Sequence, residues 1–140
     1  MDEYIAFFMK NLVLSLAFLA TLIAIIFVEL KDRQGGSSNL STDDAILCIN
    51  RDKGVVIDIR TASDFAKGHI IEALNFDAGT IKEQIKKLKK FAKRPLIVVD
   101  QNGRSVGEVV KLLVSEGFSV YTLAGGIDAW TREDLPLKKD

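Results

Sequence analysis

Residues 95–113 constrain this chain more than any other stretch: Pro-Leu-Ile-Val-Val, then Asp-Gln-Asn-Gly-Arg-Ser, then Val-Gly-Glu-Val-Val-Lys-Leu-Leu. Leu96 to Val99 are apolar and mostly β-branched, and they follow a proline that suits only a strand's first position. They predict a short strand buried on both faces, the kind that belongs to a parallel sheet. From Ser105 onward Val106, Val109, Val110 and Leu113 recur at helical spacing. The stretch therefore reads as strand, tight loop and helix. Loop N–H groups of such a unit converge with the helix's unpaired first-turn donors at the carboxyl end of the strand, where open α/β sheets hold their ligands. Asp100 stands at that spot, and a carboxylate is a poor nucleophile for most purposes.

The rest of the chain repeats the alternation. Ser41, with Asp44 three residues on, resembles a capping box opening an amphipathic helix through Ala45, Ile46, Leu47 and Ile49, closed off by Gly54. Residues 55–59 form a second strand ending in Asp58-Ile59-Arg60, 61–66 a short helix, and 74–76 a brief third strand. From Ile81, the positions Ile81, Ile85, Leu88 and Phe91 or Ala92 make a core-facing helical stripe. Gly117 caps the helix after the central loop, residues 119–122 are the last strand, and Gly125-Gly126-Ile127-Asp128-Ala129-Trp130 is a glycine turn into a helix. Such alternation predicts a parallel sheet covered by helices on both faces, with no internal repeat.

Before this domain lies a different composition. Leu12 to Val28 contains no charged residue, and counting back to Ile5 past a snorkelling Lys10 gives more than the roughly 20 residues that span a bilayer. A cleaved signal peptide would carry a basic leader and a small-x-small site; here the leader has Asp2 and Glu3, and the exit reads Val-Glu-Leu-Lys-Asp. A core helix would not be apolar on every face for so long. Residues 1–30 are therefore expected to be a retained single transmembrane helix. Lys31 and Arg33 after it, against Lys10 before it, favour a cytosolic carboxyl-terminal domain. Gln-Gly-Gly-Ser-Ser-Asn marks residues 31–39 as a flexible linker, so folding begins near Leu40.

With 19 basic and 19 acidic residues the chain has no bulk attraction for nucleic acid. The one strong cluster is Lys82, Lys86, Lys87, Lys89, Lys90, Lys93 and Arg94, a solvated face or a dock for anionic lipid headgroups or an acidic partner. The single cysteine, Cys48, offers no intrachain disulfide, fits a reducing compartment, and reads as a small buried hydrophobe. His69, the only histidine, has no partnered Ser, Cys or metal-ligand set at recognisable spacing, so a structural hydrogen bond is expected of it. No metal or cofactor is implied.

Taken together, Asp58-Ile59-Arg60, Asp64-Phe65, Gly68-His69-Ile70 with Ala73 and Asn75, the strand and loop from Pro95, and Gly125-Gly126-Ile127-Asp128-Ala129-Trp130 with Leu135-Pro136 resemble a rhodanese-homology domain over residues 40–140. With its apolar amino-terminal segment the chain is similar to the small single-domain rhodanese-like proteins of bacterial inner membranes. The resemblance implies a compact α/β domain with a five-stranded parallel sheet. It makes Asp58, Arg60, His69, Gly125, Gly126 and Trp130 family motif positions. In that family the loop after the central strand opens with a cysteine that carries sulfur as a persulfide, followed by a few variable residues including a glycine, then Arg and Ser. Here the matching position is Asp100, and in the loop Asp100, Gln101, Asn102, Gly103, Arg104, Ser105 the Arg-Ser pair comes one residue early. Ile71-Glu72 stands where Pro-Gly is frequent.

A soft, polarizable nucleophile is needed to take sulfur from a donor, and a carboxylate is neither. The expected protein is a catalytically silent rhodanese-like domain that binds a membrane or membrane-associated protein. The enzymatic alternative is a sulfurtransferase or sulfur carrier that uses Cys48, and a third reading makes Asp100 a phosphoacceptor. Asp100 itself is expected to accept N–H bonds from Gly103 to Ser105, with Arg104 close by.

Overall fold

The structure, a computed structural model, describes residues 1–35 and 38–140. It divides into two compact units, Met1–Gly36 and Ser37–Asp140.

In the first unit the expected single helix is broken. Helix α1 (Asp2–Lys10) and helix α2 (Leu12–Gly35) flank Asn11, and α1 meets the Leu12–Val28 part of α2 at 91°. Asn11 leaves helical geometry (φ −114°, ψ 39°), and both its backbone N–H and its side-chain Nδ2 donate to the Phe7 carbonyl, each at 3.1 Å. Asparagine competes for backbone acceptors in this way, which is why it breaks a helix that hydropathy alone would continue. The uncharged run from Leu12 to Val28 reaches about 25 Å at 1.5 Å per residue, short of a bilayer core of ~30 Å. Among the described residues no single helix is long and apolar enough to cross a membrane; α1 and the Leu12–Val28 part of α2 reach that length and apolar composition only together, as a pair bent by 91°.

The expected linker over residues 31–39 is also revised at both ends. Helix α2 runs on to Gly35, and Ser38–Leu40 form strand β1; Gly36 and Ser37, the centre of that linker, lie outside the described residues. A Ser-Asn-Leu strand has no apolar alternation to betray it. It exists because the edge of the sheet is open beside it: Ser38, Asn39 and Leu40 pair with Tyr121, Thr122 and Leu123, and Thr122 Oγ1 donates to Asn39 Oδ1 at 3.0 Å.

The second unit is the α/β domain. Helix α3 (Thr42–Arg51) opens with the Ser41 cap, whose hydroxyl accepts from the Asp44 N–H at 3.2 Å. Strand β2 (Val55–Asp58), helix α4 (Ala62–Lys67), β3 (His69–Ile70) and β4 (Leu74–Asn75) follow. Next come a single α turn, α5 (Ile85–Leu88), and then β5 (Leu96–Val99), α6 (Gly107–Ser115), β6 (Val120–Leu123), α7 (Gly126–Arg132) and β7 (Leu137–Lys138). The main sheet has five parallel strands in the order β1-β6-β5-β2-β4. Successive side chains of a strand point to opposite faces. Val55, Ile57, Leu96 and Val98 accordingly bury with α5 and α6 on one side, and Val56, Ile97 and Val99 with α3 and α7 on the other. β5 is the most enclosed strand, its four residues at most 1% exposed.

The long helix expected from Ile81 is instead a ragged ramp, with 3-10 turns Ile81–Gln84 and Lys89–Phe91 on either side of α5. Ile81, Ile85 and Leu88 are buried as their spacing foretold, but the basic residues three and four apart repel one another and weaken a regular helix. A second small sheet, β3 antiparallel to β7, ties the chain's end to its middle. At the Ile71-Glu72 turn Glu72 holds φ +65°, a left-handed conformation that glycine adopts at less cost.

Candidate functional site

The strand order reverses direction at β5, and the loop leaving its carboxyl end is where an open α/β sheet builds its site. Asp100 begins this loop and is 5% exposed. Its Oδ1 accepts from the Gly103 N–H at 2.6 Å and its Oδ2 from the Ser105 N–H at 2.7 Å. Both carboxylate oxygens thus close on donors of its own loop. Gly103, at φ +82°, lets the chain turn back over them. Arg104 does not join: its N–H donates to Asn102 Oδ1 at 3.1 Å, and among the described residues it makes no ion pair with Asp100.

The loop is roofed by the Gly125-Gly126 turn. The N–H groups of Ile127 and Asp128, in the first turn of α7, donate to the carbonyls of Asp100 (3.0 Å) and Gln101 (2.9 Å). That approach leaves no room for a side chain at Gly126, where a Cβ would sit 2.5 Å from the Asp100 oxygen, and Gly126 also holds φ +59°. Gly126 is therefore required by contact with the loop as well as by the turn, whereas a Cβ at Gly125 (φ +73°) would meet Ala129 of α7 at 2.7 Å.

Beside the loop, Arg60, whose side chain is 7% exposed, joins three segments. Its guanidinium grips Asp58, with Nε 3.0 Å from Oδ1 and Nη2 2.8 Å from Oδ2; Nη2 also donates to the Gly68 carbonyl at 2.7 Å and Nη1 to Gln101 Oε1 at 3.1 Å. Gln101 passes the link on, its Nε2 donating to Asp128 Oδ1 at 2.7 Å. Asn75 Nδ2 donates to the carbonyls of Asp58 (3.1 Å) and Arg60 (2.9 Å). These groups hold the ends of β2, β4, β5 and α7 in fixed relation. His69 stands apart from the loop chemistry: its ring stacks on Phe65 at 3.8 Å and its Nδ1–H donates to the Phe65 carbonyl at 2.9 Å. Trp130 Nε1 donates to the Pro136 carbonyl at 3.2 Å, pinning the segment before β7.

Outside the closed loop lies an open polar cleft of about 760 Å³, lined by Gln101, Asn102, Arg104, Asp128, Thr131 and Arg132 with Gly125. Thr131 and Arg132 were not singled out from sequence, although Arg132 lies one helical turn after Asp128 on the same short helix. Cys48 does not line this cleft and differs from its chemistry in kind. It packs in the core against α7 and β5 residues, 7% exposed, and burial together with the nearby Asp52 charge pushes its thiol up from the ordinary 9.0.

The parallel five-stranded sheet, the strand-end loop and the glycine-roofed turn define a rhodanese-like domain, and the chain belongs to that family: the rhodanese-like domain model matches residues 41–133. Along nearly its whole length it is similar to the uncharacterized protein YibN of Escherichia coli, 33% identical over 139 residues that cover 98% of this chain and 97% of the relative. It is also similar to the thiosulfate sulfurtransferase GlpE of Pseudomonas savastanoi, 35% identical over 82 residues, 57% of this chain and 76% of that one. Among solved structures, the rhodanese-like domain protein from Staphylococcus aureus aligns with TM-score 0.64 and 25% identity, covering 74% of this chain and 98% of that one.

Proposed function

We propose that this protein is a membrane-anchored, catalytically silent rhodanese-like domain that acts by binding another membrane or membrane-associated protein. One observation carries the reading. The buried Asp100 carboxylate spends both oxygens on the Gly103 and Ser105 N–H groups, the donors a strand-end loop would otherwise turn toward an anionic group or a reacting atom. Asp100 matches the position at which the family carries its sulfur-accepting cysteine, and it offers neither a thiolate nor a free set of amides. The domain keeps the family's frame and lacks the means to take up sulfur.

The anchor reading rests on the uncharged run and on the combined length and apolar composition of α1 and the Leu12–Val28 part of α2. A tether of this kind confines the domain near membrane partners and raises their effective concentration. The basic residues after the run favour the cytosolic side of an inner membrane for the domain.

The enzymatic alternative needs Cys48 as a thiolate, and a buried thiol with a raised pKa is a poor one. Full-length protein incubated with thiosulfate and cyanide is expected to give no thiocyanate above buffer. Turnover that disappears in Cys48→Ser would overturn the silent reading in favour of that alternative.

A further inference from the structure

Residues 82–94 hold seven of the chain's 19 basic residues and one acid, Glu83, so the remaining sequence carries 12 basic against 18 acidic groups. A chain of no net charge thus carries a local excess of positive charge on one short ramp and an equal negative excess elsewhere. All seven side chains are exposed, while Ile81, Ile85 and Leu88 anchor the ramp in the core, so the cations stand on a fixed base. Among the described residues none of the seven makes an ion pair. Arg94 Nε donates to the Lys53 carbonyl at 2.6 Å, and Lys90 and Arg94 lie 5.1 and 5.5 Å from the Phe91 ring centroid. Ile71, 52% exposed, shares a cleft of about 220 Å³ with Phe91 and Arg94. Like charges three and four residues apart destabilise the segment that carries them. An external anionic surface relieves that repulsion.

Resting on the anchored reading above, we propose that this ramp is the face by which the domain docks onto a bilayer rich in anionic lipid headgroups. Six of the seven cations are lysines. Lysine is a compact point charge on a flexible stem, suited to diffuse headgroup charge, whereas bidentate recognition of a protein's carboxylates favours arginine. Juxtamembrane polybasic segments act on anionic leaflets in this way, within a Debye length of the surface. The tether keeps the ramp near the bilayer, and the net negative remainder of the chain confines the attraction to this face.

The test uses the full chain in vesicles of phosphatidylcholine alone or of phosphatidylcholine with phosphatidylglycerol. Amine acylation is followed residue by residue by mass spectrometry, with exposed Lys67 and Lys111 as controls. Lysines 82, 86, 87, 89, 90 and 93 are expected to react several-fold more slowly in the anionic vesicles, to recover in high salt, and to lose the contrast in a Lys86→Glu/Lys89→Glu/Lys90→Glu variant. Equal reactivity in both vesicles, or a slowing shared by Lys67 and Lys111, overturns the proposal. Carbonate washing separates the two readings. A chain that stays in both vesicles with equal lysine reactivity is anchored but not docked. One extracted from phosphatidylcholine that still binds anionic vesicles reversibly is docked but not anchored.

Discussion

Asp100 is the residue on which the functional reading turns, because it satisfies from within what a strand-end loop normally leaves for a ligand. Removing an acceptor from a buried donor costs about 1–3 kcal/mol per group. Asp100→Ala orphans the Gly103 and Ser105 N–H groups together, so it is expected to lower the melting temperature by several degrees, with partial rescue by sulfate occupying the vacated site. An unchanged melting temperature, with sulfate acting equally on both proteins, would place the side chain outside this role. The expectation that Asp100 would accept from its own loop followed from the convergence of donors at a helix start. That Arg104 would turn away did not, because nothing in its spacing fixes a long side chain on an exposed loop. Cys48 gives a prediction in pH. Its thiol is pushed above 9.0 in the fold, so the neutral form is favoured by folding; that contribution is present below the unfolded value and is lost as pH rises through the folded one. The native protein is therefore expected to lose melting temperature more steeply above about pH 9 than Cys48→Ala does, as read by thermal scans in parallel buffers.

At the scale of elements, the contact that shapes the site is between the loop after β5 and the start of α7. Gly126 is where the two backbones meet, at positive φ and with the Asp100 carbonyl 2.5 Å from an added Cβ. Gly126→Ala should cost roughly 2 kcal/mol or more, from the left-handed conformation together with displacement of the Ile127 and Asp128 N–H bonds. Gly107, at the first turn of α6, meets nothing within 4 Å of its Cβ, and Gly107→Ala should instead be neutral or stabilising by about 0.5–1 kcal/mol. Urea midpoints of the two variants, measured side by side, check the contrast. The glycine turn itself was visible in the sequence, but its partner was not, since the contact joins residues 100 and 126 across a crossover. The 81–92 segment shows the complementary limit: its apolar stripe placed the buried residues correctly while its charge pattern left only one α turn.

For the whole molecule, the amino-terminal unit should keep the protein with membranes through a carbonate wash, and a reporter fused after Asp140 should behave as cytosolic. Release into the wash would end the anchor reading, and periplasmic reporter activity would reverse the orientation. The sequence alone determined the layers of the domain, because burial on two faces imposes continuous β-branched runs and burial on one imposes a 3.6-residue stripe; β2, β5, β6, α3 and α6 each carry their pattern locally. It also located the strand-end loop, since the carboxyl end of a buried parallel strand followed by a glycine-containing turn and a helix is a local signature. Only the tertiary structure decided the rest. β1 is a strand because β6 offers it a free edge, and β3 and β7 exist only as each other's partner. Arg60 binds Asp58, Gly68 and Gln101 because chain segments up to 41 residues apart meet there. The bend at Asn11 was written in its own side chain, yet hydropathy averages over such a residue. Patterns that depend on one segment's own exposure are legible in one dimension; hydrogen bonds between segments depend on where other segments come to rest.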